Sequence, residues 1–302
     1  MLRCQGRGHS RPDRGRAVTL PRAGELLELA RSAAAEAGQL LAARRPAGRP
    51  AVLDTKSSPT DVVTAMDRAA ETMIRTRIMA QRPGDAILGE EGGESGGESG
   101  GEPGGQPGRG RVRWIVDPLD GTVNYLYGLP DWSVSIAVEV QGTVVAGAVV
   151  APERGEEFCA MLGAGAWLWQ ARGGPPVPLK CNAGIPLAQA LIGTGFGYEA
   201  RRRQVQGEVV AAVLPQVRDV RRGGSAAIDL CSVAAGRLDG YYERGTNYWD
   251  IAAGGLIASE AGAQVAGLAG RPAGPAMTVA AGPGVFGALQ DLLASLNPER
   301  DA

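Results

Sequence analysis

The sequence has few of the side chains that many hydrolytic and metal sites use. It contains one histidine, His9, and four well-separated cysteines, Cys4, Cys159, Cys181 and Cys231, with no Cys-x-x-Cys pair. This scarcity argues against His-based catalysis, and it predicts neither a zinc site nor a disulfide framework. Any hydrolytic chemistry therefore has to rest on carboxylates, hydroxyls and lysine.

Long apolar runs and an excess of charge are also missing. No stretch reaches the roughly 18 apolar residues of a membrane span, and the basic N-terminus is not followed by the apolar segment of a signal peptide. The formal net charge is −1, so the overall balance calls for neither nucleic acid nor an anionic membrane as partner. We therefore expect a cytoplasmic protein that acts on a small molecule.

Two segments of the chain predict little fixed structure. Residues 1–16 carry five arginines and no apolar periodicity, which is typical of a flexible extension. Residues 92–110 form a Gly/Glu-rich, low-complexity segment whose backbone entropy no apolar burial offsets, which predicts a mobile loop.

Hydrophobic periodicity predicts the fold class of the remainder. Apolar residues at three- and four-residue spacings indicate amphipathic helices over 23–45 and 66–82, and β-branched runs separated by turns follow from residue 113 onward. Helices and short strands then alternate to the C-terminus. This order predicts a layered α/β or α+β fold with an N-terminal α+β part, 17–180, that holds metal-binding motifs, and a C-terminal α/β part, 181–302, that completes the active site.

Carboxylates stand in four short clusters, and each has a structural explanation when it is taken singly. The clusters are Asp61 and Asp67 in TDVVTAMD, Glu90-Glu91 after AILG, Asp117 and Asp120 in WIVDPLDGT, and Asp250 in YYERGTNYWD. Asp, Pro and Gly are turn formers, a Glu pair before a glycine-rich loop is typical of solvated charge, and an aspartate can cap a helix.

The settings of three clusters favour a shared site. Asp117 and Glu90 follow apolar strands, and Asp250 opens an Ala/Gly-rich helix, so all three stand at the ends of buried elements. A turn at Pro118 can bring Asp117, Asp120 and the Leu119 carbonyl to one side. This is an all-oxygen ligand set that suits Mg²⁺, and a cation would relieve the repulsion among the acids.

Magnesium held by a few carboxylates is the usual arrangement for phosphoryl transfer. The sequence has no Gly-x-x-x-x-Gly-Lys-[Ser/Thr] loop for a nucleoside triphosphate, which favours water as the acceptor. Thr122 can hydrogen-bond that water and, with Glu90, help to take its proton, although turn capping explains Thr122 equally well.

Four longer motifs resemble the inositol monophosphatase family. They are KSSPTDVVTAMD from Lys56, ILGEE from Ile87, WIVDPLDGTVNYLYGLPDWSVSIAV from Trp114, and the segment from Gly224 to Ala263 that contains WDIAAG. The likeness runs over about 23–290 in order and spacing. It implies a layered αβαβα sandwich of the inositol monophosphatase and fructose-1,6-bisphosphatase type, a homodimer, dependence on two to three Mg²⁺ ions and inhibition by lithium.

The resemblance also implies roles for individual residues. The implied positions are Glu90, Asp117 and the Leu119 carbonyl for a first metal site; Asp117, Asp120 and Asp250 for a second; Gly121 and Thr122 for phosphate and water; Asp67 as the partner of Thr122; and Asp120, Ala226 and Glu243 for the hydroxyl groups of a sugar alcohol. A third ion is expected near Glu90. Lys56 matches a lysine near the mouth of the site, and an exposed salt bridge is the alternative for it.

The resulting hypothesis is hydrolysis of a small sugar-alcohol phosphate, with myo-inositol 1-phosphate as the first choice. The alternative enzyme is a related phosphatase that acts on histidinol phosphate, fructose 1,6-bisphosphate, a 3′-phosphonucleotide or NADP. A non-catalytic regulator that uses the same fold to bind a protein partner is the alternative of another class. The Gly/Glu segment differs from the family in composition and follows closely after Glu90. Of the expected ions, the third, near Glu90, is the one whose binding this difference affects most.

Overall fold

The computed structural model describes residues 20–45, 54–55, 62–63, 65–96 and 112–301. Its α-helices are α1 (Leu20–Arg44), α2 (Ala65–Gln81), α3 (Thr122–Tyr127), α4 (Ala200–Val213), α5 (Ala226–Ala234), α6 (Tyr248–Glu260) and α7 (Phe286–Ser295). The helices predicted over 23–45 and 66–82 correspond to α1 and α2. The predictions for residues 1–16, for Lys56 and for 97–110 lie outside the described residues.

An eight-stranded sheet occupies the first half of the chain. Its strands are β3 (Ala86–Gly89), β4 (Gly93–Gly96), β5 (Val112–Asp120), β6 (Ser133–Val140), β7 (Thr143–Ala151), β8 (Glu156–Met161), β9 (Gly165–Gln170) and β10 (Val177–Pro178), in the order β10-β9-β8-β7-β6-β5-β3-β4. Strands β3 and β5 are parallel, and the other neighbours are antiparallel. Two further strands, β1 (Asp54–Thr55) and β2 (Val62–Val63), pair antiparallel by themselves.

A five-stranded mixed sheet follows. Its strands are β11 (Leu191–Thr194), β12 (Asp219–Arg221), β13 (Gly240–Glu243), β14 (Gln264–Ala266) and β15 (Thr278–Ala281), in the order β12-β11-β13-β15-β14. The eight-stranded sheet lies before the predicted 180/181 boundary and this one after it. The division of the chain into two domains stays a prediction.

The buried clusters show how the layers stack. Helices α1 and α2 pack on one face of the eight-stranded sheet, and α5 and α6 pack on its other face. The opposite side of α5 and α6 contacts β13 and β15, and α4 and α7 cover the outer face of the five-stranded sheet. The order is therefore α, β, α, β, α, and the predicted layered sandwich is confirmed.

Helix α1 illustrates how the sequence produces these layers. Leu26, Ala30, Ala33, Ala37 and Leu41 recur at three- and four-residue spacings, and all of them are buried against the sheet. The helix ends at Arg44, just before Arg45-Pro46, because proline disfavours the helical conformation of the residue that precedes it. Within the described residues, no helix combines the length and the apolar character that a membrane crossing requires.

The prediction of a loop over 92–110 is wrong for residues 93–96. This exposed segment is strand β4, which pairs antiparallel with β3 at the edge of the sheet. The buried Glu71 carboxylate of α2 accepts hydrogen bonds from the N–H groups of Glu91 and Gly92, at 2.7 and 2.9 Å. Arg75 binds Glu71 and also donates to the Gly93 carbonyl, at 2.6 Å. Backbone pairing and this network order the strand without apolar burial.

Candidate active site

A cavity of about 560 Å³ lies where several elements of the two sheets and the middle helices end. The end of β5, the turn after β3, the first turn of α6, the start of α5 and the end of β13 all contribute side chains to its wall. Of the residues predicted for the site, the wall contains Glu90, Asp117, Leu119, Asp120, Gly121, Thr122, Ala226, Glu243 and Asp250. Asp67 lies behind this wall, in the first turn of α2.

Asp117 is the most enclosed of the acidic side chains in the cavity wall. It is buried, and its Oδ1 accepts a hydrogen bond of 3.0 Å from the Leu119 N–H. The pairing of β5 with β6 is irregular between Asp117 and Asp120, which lets both residues face the cavity. Burial, followed by the charges of Glu90, Asp120 and Asp250, raises the pKa of Asp117 well above its usual range.

Asp120 connects β5 to the N-terminus of α5. Its Oδ2 accepts hydrogen bonds from the Ser225 hydroxyl and from the Ala227 N–H, the latter at 2.8 Å. Burial raises the pKa of Asp120 to about 6, although these hydrogen bonds and the nearby Arg222 act in the opposite direction. The carboxylate is thus held in one orientation at the cavity wall.

The remaining two carboxylates are held by local backbone geometry. Asp250 accepts a hydrogen bond of 2.6 Å from the Asn247 N–H at the start of α6, and burial, then Glu90 and Asp120, raises its pKa. Glu90 stands in the turn that Glu71 binds, and its own N–H donates to the Val116 carbonyl at 3.2 Å. These fixed positions place Glu90 and Asp250 beside Asp117.

The donor set fits a hard divalent cation. As the side chains stand in the described residues, no group of three or more Asp, Glu, Cys or His is arranged to hold a metal ion. The four carboxylates nevertheless line one cavity, and burial, followed by the charges of the neighbouring carboxylates, raises the pKa of Asp117 and of Asp250. Oxygen ligands at one side of an open cavity, with a charge that needs compensation, suit a cation that also binds substrate oxygens.

Thr122 stands at the junction of β5 and α3. Its Oγ1 lies 3.1 Å from Asp67 Oδ1 and 3.0 Å from the Leu119 carbonyl oxygen, both of which accept. Because a hydroxyl carries one proton, donation to these acceptors leaves the Thr122 lone pairs to accept a hydrogen bond from a molecule in the cavity. The pairing of Thr122 with Asp67 agrees with the contact that the resemblance implies.

Gly121 permits the tight turn between β5 and α3. Its φ is 91°, and a Cβ at this position would lie 2.8 Å from the Asp131 carbonyl oxygen. Only glycine meets both requirements without strain. Gly121 therefore fixes the direction in which Thr122 enters the cavity.

Glu243 faces the cavity from the end of β13. The Tyr241 hydroxyl donates to its Oε2 at 2.7 Å, and burial raises the pKa of Glu243 to about 7. The neighbouring Arg244 binds Asp301, and the charge of Arg222 acts to lower the pKa of Glu243. Ala226, buried at the start of α5, lines the same cavity.

Sequence reasoning missed several residues of this site. Ser225 holds Asp120, and Arg202 and Arg222 line the cavity. Asp229 of α5 is buried near Glu243 and Asp120, whose charges, after burial, raise its pKa. The signal available for Ser225 was its N-cap position, where its side chain accepts from the Ile228 N–H. The two arginines carry no local signal because their positions depend on the tertiary fold.

The comparisons with known proteins agree with this geometry. Residues 23–301 match the inositol monophosphatase family. The chain belongs to this family. Members of the family are metal-dependent phosphatases.

Individual relatives cover most of the chain. It is 49% identical over 242 residues to the inositol-1-monophosphatase SuhB of Mycobacterium tuberculosis, covering 80% of each chain. The solved structure of Mycobacterium tuberculosis SuhB has a TM-score of 0.75 at 43% identity, covering 92% of this chain and 98% of that one. The chain is also 38% identical over 241 residues to a protein named Nus factor SuhB, from Pasteurella multocida, covering 80% and 84% of the two chains.

Proposed function

We propose that this protein is a Mg²⁺-dependent phosphatase that hydrolyses a small sugar-alcohol phosphate, with myo-inositol 1-phosphate as its preferred substrate. The observation that carries the proposal is one cavity whose wall contains four carboxylates, Thr122 and Glu243. Its volume of about 560 Å³ suits a small ligand rather than a macromolecule. The name of the Mycobacterium tuberculosis relative supports the same substrate.

We assign the part of the cavity that the four carboxylates line to the binding of the phosphate. We assign Glu90, Asp117 and the Leu119 carbonyl to one ion, Asp117, Asp120 and Asp250 to a second, and a weaker third ion to the surroundings of Glu90. When bound, such ions neutralise phosphate charge and lower the pKa of water. Gly121 and Thr122 orient the phosphate and the attacking water, and Asp67 holds the Thr122 hydroxyl.

The hydrolysis also requires a proton transfer and contacts to the alcohol part of the substrate. The water oxygen forms a bond to phosphorus, the bond from phosphorus to the alcohol oxygen breaks, and a proton returns to the alcohol. Glu90 with Thr122 helps to take the proton of the water, while Asp120, Ala226 and Glu243 contact the alcohol. In its ionised form a carboxylate only accepts hydrogen bonds, so ionised Glu243 can bind two neighbouring hydroxyl groups of a polyol. The cytoplasmic location and the homodimer stay predictions.

The substrate assignment is tested with a panel of phosphates in the presence of Mg²⁺. The panel contains myo-inositol 1-phosphate, glycerol 2-phosphate, histidinol phosphate, fructose 1,6-bisphosphate, adenosine 3′,5′-bisphosphate and NADP, ranked by kcat/KM from phosphate release. We expect the inositol phosphate to rank first, because a site that binds hydroxyl groups rejects analogues that lack them. A first rank for the nucleotides would contradict the assignment of Glu243.

Fructose 1,6-bisphosphate is the second candidate, and one observation favours it. Arg202 and Arg222 line the cavity in addition to the acidic groups, and a guanidinium is well suited to bind a second phosphate. If this reaction dominates, the bisphosphate ranks above the inositol phosphate in the same panel.

A protein-binding role is the candidate of another class, and the name Nus factor SuhB of one relative is the reason to keep it. Phosphate release distinguishes this role from catalysis. A protein that releases no phosphate from any member of the panel at saturating Mg²⁺ would support the regulatory role over the enzyme.

Lithium inhibition is expected from the second set of ligands. Asp117, Asp120 and Asp250 line the same cavity, and an ion with a single charge that replaces Mg²⁺ there leaves phosphate charge uncompensated. Millimolar LiCl should lower the steady-state rate, whereas NaCl at equal ionic strength should not. Equal rates in the two salts would contradict the assignment of these ligands.

A further inference from the structure

Strand β13 presents its two tyrosines to opposite sides of the five-stranded sheet. Side chains alternate along a strand, so Tyr241 and Glu243 share one face and Tyr242 lies on the other. Tyr241 packs with α5 and α6, whereas Tyr242 belongs to the core beneath α4 and α7. Tyr241 therefore lies on the same face of β13 as Glu243, which lines the cavity.

The hydroxyl of Tyr241 determines which oxygen of Glu243 is free. It donates to Glu243 Oε2 at 2.7 Å, and its ring is fully buried. Burial, followed by the charges of Glu243 and Asp229, raises the pKa of Tyr241 well above its usual range, so the phenol keeps its proton and remains a donor. Oε1 then remains available to a ligand in the cavity.

Glycine at position 195 makes room for this arrangement. A Cβ on Gly195 would overlap the Glu243 carboxylate at both oxygens. The overlapping atoms are the far end of a flexible side chain, so an added methyl group would displace the carboxylate rather than the backbone. The Glu243 carboxylate is thus held between the Tyr241 hydroxyl and the backbone of Gly195.

We propose that Tyr241 is a positioning residue that orients Glu243 and thereby sets the preference for phosphate esters of polyols over esters without hydroxyl groups. This inference rests on the proposed function. Tyr241 itself lies behind Glu243 in the buried core and acts through it.

Tyr241→Phe tests the inference because it removes one oxygen atom and keeps the packed ring. For myo-inositol 1-phosphate we expect KM to rise about tenfold, the usual weight of one hydrogen bond to a charged group, with little change in kcat. For p-nitrophenyl phosphate, whose alcohol part has no hydroxyl group to bind, we expect kcat/KM to stay the same.

Tyr242→Phe is the matched control. It makes the same chemical change on the next residue of β13, whose hydroxyl lies on the side of α4 and α7. We expect it to leave the ratio of kcat/KM for the two substrates unchanged. A similar change of this ratio in both variants would overturn the inference, because a general effect on β13 would then explain it.

A double-mutant cycle tests whether Tyr241 acts through Glu243. Glu243→Gln alone should lower the preference for the inositol phosphate, and adding Tyr241→Phe to it should cause no further loss. Losses that multiply in the double variant would show independent roles and would overturn the inference.

The pH profile supplies a readout that a structural role would not change. Glu243 is faced by Tyr241 from its own strand, Asp120 from β5, Asp229 from α5, Asp250 from α6 and Arg222 from the segment after β12. The hydrogen bond from Tyr241 lowers the pKa of Glu243, so its loss raises that pKa. The acid limb of kcat/KM for the inositol phosphate should therefore move to higher pH in Tyr241→Phe, and that for p-nitrophenyl phosphate should not.

Gly195→Ala tests the same arrangement with Tyr241 intact. The added methyl group should displace the Glu243 carboxylate and cause a selective loss on the inositol phosphate, with a melting temperature close to that of the unmodified protein. If Gly195→Ala and Tyr241→Phe each lower kcat/KM equally for both substrates, the inference is overturned while the proposed function stands. An unmodified protein that does not prefer the inositol phosphate to p-nitrophenyl phosphate would overturn the proposed function, and the inference with it.

Discussion

Asp117→Asn should abolish turnover while leaving the protein at least as stable as before. The substitution removes one charged oxygen donor from the centre of the carboxylate group, and we expect kcat to fall by more than about 100-fold, since even indirect partners of metal ligands contribute 10- to 100-fold. An amide oxygen can still accept the hydrogen bond from the Leu119 N–H. Phosphate release at saturating Mg²⁺ measures the effect.

The stability part of this prediction follows from the pKa of Asp117. Its pKa is raised in the folded protein, so the ionised form is disfavoured by folding at pH values above its ordinary range, and this cost disappears as the pH falls. Asparagine never carries the charge. In EDTA, the variant should therefore melt at the same or a higher temperature than the unmodified protein at neutral pH, with the difference shrinking at acid pH.

Asp85→Asn is the matched control for Asp117→Asn. Asp85 is also buried, but it binds Arg82 at 2.8 Å and the Trp114 indole N–H at 2.9 Å and does not line the cavity. We expect a lower melting temperature and normal turnover. Near-normal activity of Asp117→Asn would contradict the assignment of the metal ligands.

Thr122→Ala should lower kcat by about 100-fold, which is typical for the loss of a group that handles the proton of a nucleophile, and should change KM little. The structural reason is that Asp67 and the Leu119 carbonyl fix the Thr122 hydroxyl with its lone pairs available to the cavity. Steady-state kinetics on myo-inositol 1-phosphate separate the two parameters.

Thr122→Ser provides the control because it restores the hydroxyl without the methyl group. It should recover most of the lost rate. If the serine variant is as slow as the alanine variant, the methyl group and its packing are what matter, and the role of Thr122 toward water is wrong.

Much of the fold was readable from local patterns. The apolar stripe of α1 and the β-branched runs of β6 and β7 are periodic over many residues, and their order predicts a layered α/β or α+β fold. The αβαβα order of the layers is what the family resemblance implies. Strand β4 could not be read in this way, because its four exposed residues have the composition of a loop. Its order comes from pairing with β3 and from Glu71 and Arg75 of α2, which are about 20 residues distant in sequence.

The residue types of the candidate site could be predicted from the sequence, but the contacts between them could not. Asp117, Asp120 and Asp250 stand in distinctive motifs, whereas the hydrogen bond from Ser225 to Asp120 joins residues 105 positions apart. Arg222 gives no pattern that separates it from a surface arginine. Such contacts depend on how α5 is placed against β5, which is a property of the packed layers.

The outermost strands of the two large sheets bear on how this protein avoids uncontrolled strand pairing between molecules. In the described residues, β4 and β10 end the eight-stranded sheet with four and two residues, and β12 and β14 end the other with three each. Gly93 and Gly96 have φ values of 62° and 78°, which interrupt the extended backbone of β4, and Pro178 of β10 has no N–H to donate. A strand from a second molecule therefore finds no long, flat edge to extend, which protects a protein with two apolar sheets from edge-to-edge aggregation.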